Sequence, residues 1–341
     1  MQNVTVLGIG LGKRSFHQRG QDKSGNAAFR WKVSRQQLIE FLSNFHSCTV
    51  VMEACAGAHF MARKLATFGQ QIKLISPQFA RPFVKSNKND FVDAEAICEA
   101  ASRPSMRFVT PKMKSQQTLS ALHRVRDSLI RDRVCTTNQM HAFLLEFGIS
   151  LPIGIAVVRR LPAVLAEHEL PPRLVAILER LHSHFKYLEQ QIAELDKEIA
   201  NQVADDDLGK RLLTIPGVGP ITASVLTAEM GDGKQYARSR DFAASIGIVP
   251  RQYSTGGRAN LLGISKRSDK NLRRLLVQCA RVYMQRLDKK SGPLATWTRQ
   301  MLTRRHSNVV ACALANKLAR IAWAIAARKA SFNAEAAAMP A

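Results

Sequence analysis

Val4-Thr5-Val6-Leu7-Gly8-Ile9, with the two extended stretches that follow it, decides the fold of this chain. The alternating apolar run predicts a strand over residues 4–9. Gly10-Leu11-Gly12-Lys13 then reads as a tight turn. Ser15–Gln21 and residues 28–33 read as two more strands, joined through the turn Lys23-Ser24-Gly25-Asn26. Beyond this meander, Leu38, Phe41 and Leu42 give residues 36–45 helical spacing. Thr49-Val50-Val51-Met52 predicts a buried strand, residues 59–68 a helix, and Gln71–Ile75 another short strand. The helix Asp90–Ala101 closes the segment.

Three meander strands followed by helix-strand-helix-strand is the order of the ribonuclease-H-like fold. The expected class is therefore α/β over residues 1–110, with helical regions after it. The acids fall where such a sheet builds sites. Glu53 ends the strand at 49–52, at its C-terminal tip. Asp90 and Asp93, in Asn87-Lys88-Asn89-Asp90-Phe91-Val92-Asp93-Ala94-Glu95, lie three apart on one helix face. A single acid in a first turn caps a helix. Two there, repelling each other, together with Glu53, point to a bound cation. All-oxygen ligands select Mg²⁺ or Mn²⁺. A pair of such ions about 3.5–4 Å apart suits phosphoryl transfer. Glu95 and Glu99, further along the helix, are expected to be solvated or ion-paired, or in the case of Glu95 to stand behind the ligands.

The 341 residues carry 50 Lys plus Arg against 26 Asp plus Glu, a formal net charge of +24. That excess fits a polyanion partner, most simply nucleic acid. Hydrophobic residues make up 46% of the chain, which excludes a disordered chain and leaves room for two or three domains. Cys48, Cys55, Cys98, Cys135, Cys279 and Cys312 form no Cys-x-x-Cys pair and no zinc spacing. Their pattern predicts buried free thiols and a reducing cytoplasm. No signal peptide and no membrane partner are expected; no apolar run approaches spanning length, and residues 321–327 are a short one flanked by Arg320 and Arg328.

Residues 111–205 read as helical. Leu174, Leu178, Leu181, Phe185, Leu188, Ile192, Leu195 and Ile199 alternate by four and three, the a/d seam of a coiled coil. Pro171-Pro172 starts it. Its partner is either the helix at 115–147 or the same segment of a second subunit; the length of the seam favours the second subunit. Residues 206–330 form a basic helical unit, and an alanine-rich tail occupies 331–341. Ile215-Pro216-Gly217-Val218-Gly219-Pro220 matches a helix-hairpin-helix turn, whose Gly217 and Gly219 would let backbone N–H groups approach a phosphate. Pro250-Arg251-Gln252-Tyr253-Ser254-Thr255-Gly256-Gly257-Arg258 is expected to be a flexible loop. Its two hydroxyls suit a nucleophile for a phosphodiester, with Arg251 and Arg258 on the phosphate. Lys266, Arg267, Arg273 and Arg274, entering the next helix, are expected to track a nucleic-acid backbone.

These motifs together resemble the IS one-ten family of transposases, in its IS eleven-eleven subgroup. The resemblance rests on Leu7-Gly8-Ile9-x-Leu11-Gly12-Lys13, Met52-Glu53-Ala54-Cys55, Lys88-Asn89-Asp90-Phe91-Val92-Asp93-Ala94, the turn at 215–220, Ser254-Thr255-Gly256-Gly257-Arg258 and Gly263-Ile264-Ser265-Lys266-Arg267. It implies a RuvC-like N-terminal domain holding Mg²⁺ through four acids. It implies a C-terminal serine that forms a covalent phosphoserine with DNA, and a structured guide RNA that pairs with donor and target DNA. Dimers that pair into tetramers are also implied. Glu53, Asp90 and Asp93 carry over as the second to fourth acids. The position of the first is Gly10, which implies weakened metal binding and puts cleavage by this copy in question. Ungapped matching puts Thr255 at the serine's place and a shift of one puts Ser254 there; Ser254 is the less hindered hydroxyl. The other readings are a metal-dependent, structure-specific nuclease of the Holliday-junction type and a non-catalytic DNA- and RNA-binding protein.

Overall fold

The computed structural model describes residues 3–85, 87, 89–152 and 154–334. Lys88 of the acid motif and residues 335–341 of the expected tail lie outside them. The chain divides into two compact units, Met1–Lys114 and Ser115–Ala341.

The first unit runs β1 (Val6–Leu11), β2 (Ser15–Gln21), β3 (Ala27–Ser34), α1 (Arg35–Asn44), β4 (Thr49–Glu53), α2 (Ala58–Ala66), β5 (Gln71–Ile75), α3 (Pro77–Ala80), α4 (Asp90–Ala101) and β6 (Phe108–Val109). One sheet orders these strands β3-β2-β1-β4-β5-β6. β1 pairs antiparallel with β2 and parallel with β4, and β4 pairs parallel with β5. Alternate residues of the sheet serve two cores. Leu7, Ile9, Val50 and Met52 pack with Leu38 and Leu42 of α1 and Met61 and Leu65 of α2. Val51 and Ile75 pack on the other face with Ile97 and Ala100 of α4. α1 begins with a capping box: Gln37 N–H donates to the Ser34 hydroxyl, and Ser34 N–H donates to the Gln37 side-chain oxygen.

The meander and the strands after it stand where the sequence places them, with one consequential shift. β1 starts at Val6 and runs to Leu11, so Gly10 is a ladder residue opposite His17 and not part of a turn. Leu11 pairs with Phe16, which confines the turn to residues 12–14. Glu53 is likewise the last residue of β4, registered against Ile75. The short β6 was not legible from pattern.

The second unit contains α5 (Lys114–Leu145), α6 (Ile155–Arg159), α7 (Leu161–Glu167), α8 (Pro172–Asp205), α9 (Asp207–Leu213), α10 (Pro220–Met230), α11 (Ser239–Ser245), β7 (Pro250–Gln252), β8 (Leu261–Ile264), α12 (Lys270–Gln285), α13 (Pro293–Leu302) and α14 (Ser307–Arg328). The seam on α8 is covered within the chain. Leu178 and Phe185 are fully buried against Met140 and Leu144 of α5 and Val158 and Leu161 of α6–α7. Arg126 pairs with Asp196, and Arg133 reaches Glu189 at 3.7 Å, binding α5 to α8. Arg159 grips Glu189 through two contacts of 2.8 and 3.1 Å, holding that carboxyl below the usual range. Within the chain, α5 covers the seam at Leu178 and Phe185, while Ile199 packs with Leu212 of α9 and Leu226 of α10: periodicity defines an apolar stripe but not which helix covers it.

The remaining helices share one core that includes Leu226, Phe242, Leu276, Leu314 and Leu318. By length and composition α14 is apolar enough to cross a membrane, since alanines extend its apolar stretch across Lys317 and Arg320. Its Val310, Leu314, Leu318 and Ala322 are buried in that core.

Candidate functional site

The acids Glu53, Asp90 and Asp93 all lie on the first unit. α4 lies close across β1 because Gly8 has no side chain: a Cβ there would meet the Ala94 carbonyl oxygen and the Cys98 sulfur at 2.5 Å. Asn89 caps the helix, its side-chain oxygen accepting from Phe91 N–H at 2.9 Å. Asp90 and Asp93 thus stand in the first turn, Asp90 exposed and Asp93 half-buried. Position 10 faces the same helix start, and a Cβ on Gly10 would lie 3.3 Å from the Asp90 carbonyl oxygen. Glu53 is half-buried at the tip of β4, two strand positions from the apolar core of that face. Burial first, and then the Glu53 carboxylate, push the neighbouring Cys55 thiol up.

Two groups the sequence reading missed stand here. His17, almost fully buried on β2, places Nδ1 3.4 Å from Asp90 Oδ2 and sets its ring edge-on to Phe91 at 4.7 Å. Arg19, also on β2, reaches Glu95 at 2.5 Å, and Arg30 of β3 reaches the same carboxylate at 3.2 Å. Glu95 is therefore an ion-paired anchor of α4 to the sheet. Glu99 pairs along the helix with Arg103. The alternation of β2 was the available signal, since it sends His17, Arg19 and Gln21 to one face.

The second candidate site is a hairpin and not a flexible loop. β7 and β8 pair antiparallel, and the two-residue turn Gly256-Gly257 closes them with φ of 56° and 75°. Positive φ at both central positions makes a type I′ turn, which two glycines adopt without strain. Arg258 N–H donates to the Thr255 carbonyl at 3.0 Å and Tyr253 N–H to the Asn260 carbonyl at 2.9 Å. The exposed Ser254 hydroxyl accepts from Gln252 Nε2 at 2.8 Å and from Asn260 N–H at 3.3 Å. Arg251 and Arg258 are exposed on the same hairpin.

Of the basic residues after it, Lys266 and Arg267 are exposed. Lys266 and Ser268 take left-handed backbone, φ 56° and 58°, a strain of about 1–3 kcal/mol each for non-glycine residues. Arg273 points inward: its guanidinium donates to the Ile246 carbonyl at 2.8 Å and the Arg267 carbonyl at 2.9 Å. Arg274 reaches Asp127 at 3.3 Å and Asn271 at 2.6 Å. Arg273 thus braces the turn before α12, while Arg274, though paired with Asp127 and Asn271, keeps an exposed side chain. Gly217, in the turn between α9 and α10, has φ 85° and a Cβ there would lie 2.8 Å from the Cys279 carbonyl oxygen, so packing on α12 explains it. Gly219 caps α10 and faces open space.

A DEDD transposase family model for IS110 elements matches residues 7–149, the segment with Gly10, Glu53, Asp90 and Asp93. A second, described as Transposase IS116/IS110/IS902 family, matches residues 209–293, the segment with the serine hairpin. The transposase for insertion sequence element IS1328 of Yersinia enterocolitica is 66% identical over 333 residues, covering 98% of this chain and 100% of the relative. The chain belongs to the IS110 family of insertion-sequence transposases. The transposase for element IS1111A of Coxiella burnetii is 37% identical over 336 residues, 98% of this chain and 92% of the relative. A DEDD transposase domain suggests a divalent metal cofactor. Yet among the described residues no three His, Cys, Asp or Glu side chains come together as a metal-holding group. Position 10 supplies no ligand, and Asp90 faces His17. As they stand, the residues present do not fit a resident ion.

Proposed function

We propose that this transposase breaks and rejoins DNA with Ser254 as the attacking group. The observation that carries this choice is the Ser254 hydroxyl itself, exposed and held by two N–H donors. Among the described residues, the Thr255 hydroxyl has no such partner. In the reaction, the bond from Ser254 Oγ to phosphorus forms as the bond from phosphorus to one deoxyribose oxygen breaks. The serine proton passes to water and the leaving oxygen takes one from water. Attack by a second strand's hydroxyl reverses the sequence and frees the serine. Arg251 and Arg258 are suited to neutralise the phosphate oxygens.

In the same reading the first unit is RuvC-like and Glu53, Asp90 and Asp93 are what remains of a four-acid set. The turn between α9 and α10 acts as a helix-hairpin-helix phosphate contact. The α5–α8 pair is an intrachain coiled coil. The +24 charge serves double-stranded donor and target DNA together with a structured guide RNA, in dimers that assemble into tetramers in the cytoplasm. A second reading is favoured by Gly10: a copy that binds DNA and RNA without cutting.

The test is a protein–DNA adduct on a denaturing gel, in a Gly10→Asp background. Ser254→Ala should remove the adduct and keep DNA binding, while Thr255→Ala should leave it. The opposite pattern moves the nucleophile to Thr255. Cleavage to free ends that survives both substitutions leaves a metal-dependent nuclease instead.

A further inference from the structure

We propose that Gln252 is the positioning residue of the Ser254 hydroxyl, and that its amide together with the Asn260 N–H makes Ser254, and not its neighbour, the activated group. The inference rests on the assignment of Ser254 above and adds the residue that prepares it.

The hairpin geometry carries the argument. Gln252 is the last residue of β7 and Ser254 lies two residues beyond it, toward the turn, where the amide reaches the hydroxyl. Thr255 instead pairs through its backbone with Arg258 across the turn. Tyr253 N–H donates to the Asn260 carbonyl at 2.9 Å, while the Asn260 N–H goes to Ser254 Oγ at 3.3 Å. A backbone donor has thus been turned from ladder pairing onto a side-chain oxygen. The Gln252 amide supplies the second donor at 2.8 Å, within the good range for N–H···O.

The chemistry follows from counting. A serine hydroxyl has two lone pairs and one proton. Both lone pairs here are occupied by N–H groups, so the proton is the one part of the hydroxyl left to point away from the hairpin, toward an incoming phosphate or base. When that proton leaves, the two donors remain on the developing alkoxide. Donors to a charged oxygen are worth more than donors to a neutral one. The pair therefore favours the ionised form, which is the nucleophile. The two glycines of the turn fix the strand ends that set this geometry.

The contact can be read without DNA and without catalysis. Ser254→Cys in the full-length chain places a thiol on the same donors. Its reactivity with iodoacetamide, followed from pH 6 to 10 by peptide mass spectrometry, gives its pKa, because the thiolate is the reacting form. Adding Gln252→Ala should raise that pKa by about half to one unit, three- to tenfold less thiolate near neutral pH. Gln252→Glu, similar in size but an acceptor at those pH values, should raise it further. Arg251 and Arg258, the cations of the same hairpin, are unchanged in all three chains, and the exposed Cys135 is an internal standard whose profile should stay fixed. Identical profiles at position 254 in the three chains overturn the proposal. Failure of the adduct test would instead remove Ser254 as nucleophile, so the two results are separable.

Discussion

Lowering the pH from 7.5 to 5 should destabilise the second unit through one buried histidine. His123 on α5 is 6% exposed, and its Nε2 lies 2.9 Å from the hydroxyl of Ser224, which is 1% exposed on α10. Burial, and then the Arg126 cation, pull its pKa from 6.5 down to about 4, against the opposing pull of Asp127 and Asp196. The unfolded imidazole takes a proton near pH 6.5 while the folded one stays neutral until about pH 4. Between those values the unfolded state binds more protons, so the stability present above pH 6.5 is lost as the pH falls. The gap corresponds to roughly 2 kcal/mol at pH 5 and about 3 kcal/mol once pH 4 is passed. His182 also has its pKa lowered by burial, so the measurement must be a comparison with His123→Gln, whose amide still reaches Ser224. In a Trp31→Phe background, fluorescence of Trp297 and Trp323 reports the second unit alone during urea unfolding. Between pH 7.5 and 5 the parent should lose roughly 2 kcal/mol more than the Gln variant. Equal losses in the two proteins would refute the buried, neutral state of His123.

Gly10→Asp should tighten Mn²⁺ binding by about tenfold or more, since it adds an oxygen ligand beside Asp90 and asks for a shift of only a few tenths of an ångström at the Asp90 carbonyl. Equal Mn²⁺ binding, read by electron paramagnetic resonance, would place the site elsewhere. Phe185→Ala should cost about 3–5 kcal/mol of second-unit stability and leave the molar mass by light scattering unchanged; a fall in mass without loss of stability would return the α8 seam to a subunit interface. Binding to double-stranded DNA should fall by about a thousandfold or more between 50 and 200 mM salt, if six or more phosphates are neutralised. A flat response in a filter-binding titration would remove the exposed Arg251, Arg258, Lys266 and Arg267 from the interface.

The fold of the first unit was legible because its first five strands carry alternation or a short buried apolar run, and the acids stood out because like charges in one helical turn need a reason. What escaped was everything set by register. Gly10 and Gly12 read as one turn, but the ladder with β2 runs through Leu11, and only that pairing puts Gly10 opposite His17 and His17 beside Asp90, 73 positions further along the chain. The hairpin was legible in principle, because Gly-Gly between short polar strands is a type I′ signal. Reading it as a flexible loop hid the placement of Gln252 and Asn260 on Ser254. The α8 seam shows the same limit from the other side. Heptad spacing states how wide an apolar stripe is, while the burial of Leu178 and Phe185 against Met140 and Leu144, flanked by Arg126–Asp196 and Arg133–Glu189, shows α5 covering that part of it. Charge misled in a related way. Arg273 sits in a basic run that suggests phosphate contact, yet a guanidinium has five donors and is as well suited to holding carbonyls of a strained turn. With Lys266 and Ser268 in left-handed backbone, that turn has a need for such a brace. Within the basic cluster Arg273 holds the backbone that carries the exposed Lys266 and Arg267, and Arg274 stays exposed beside Asp127.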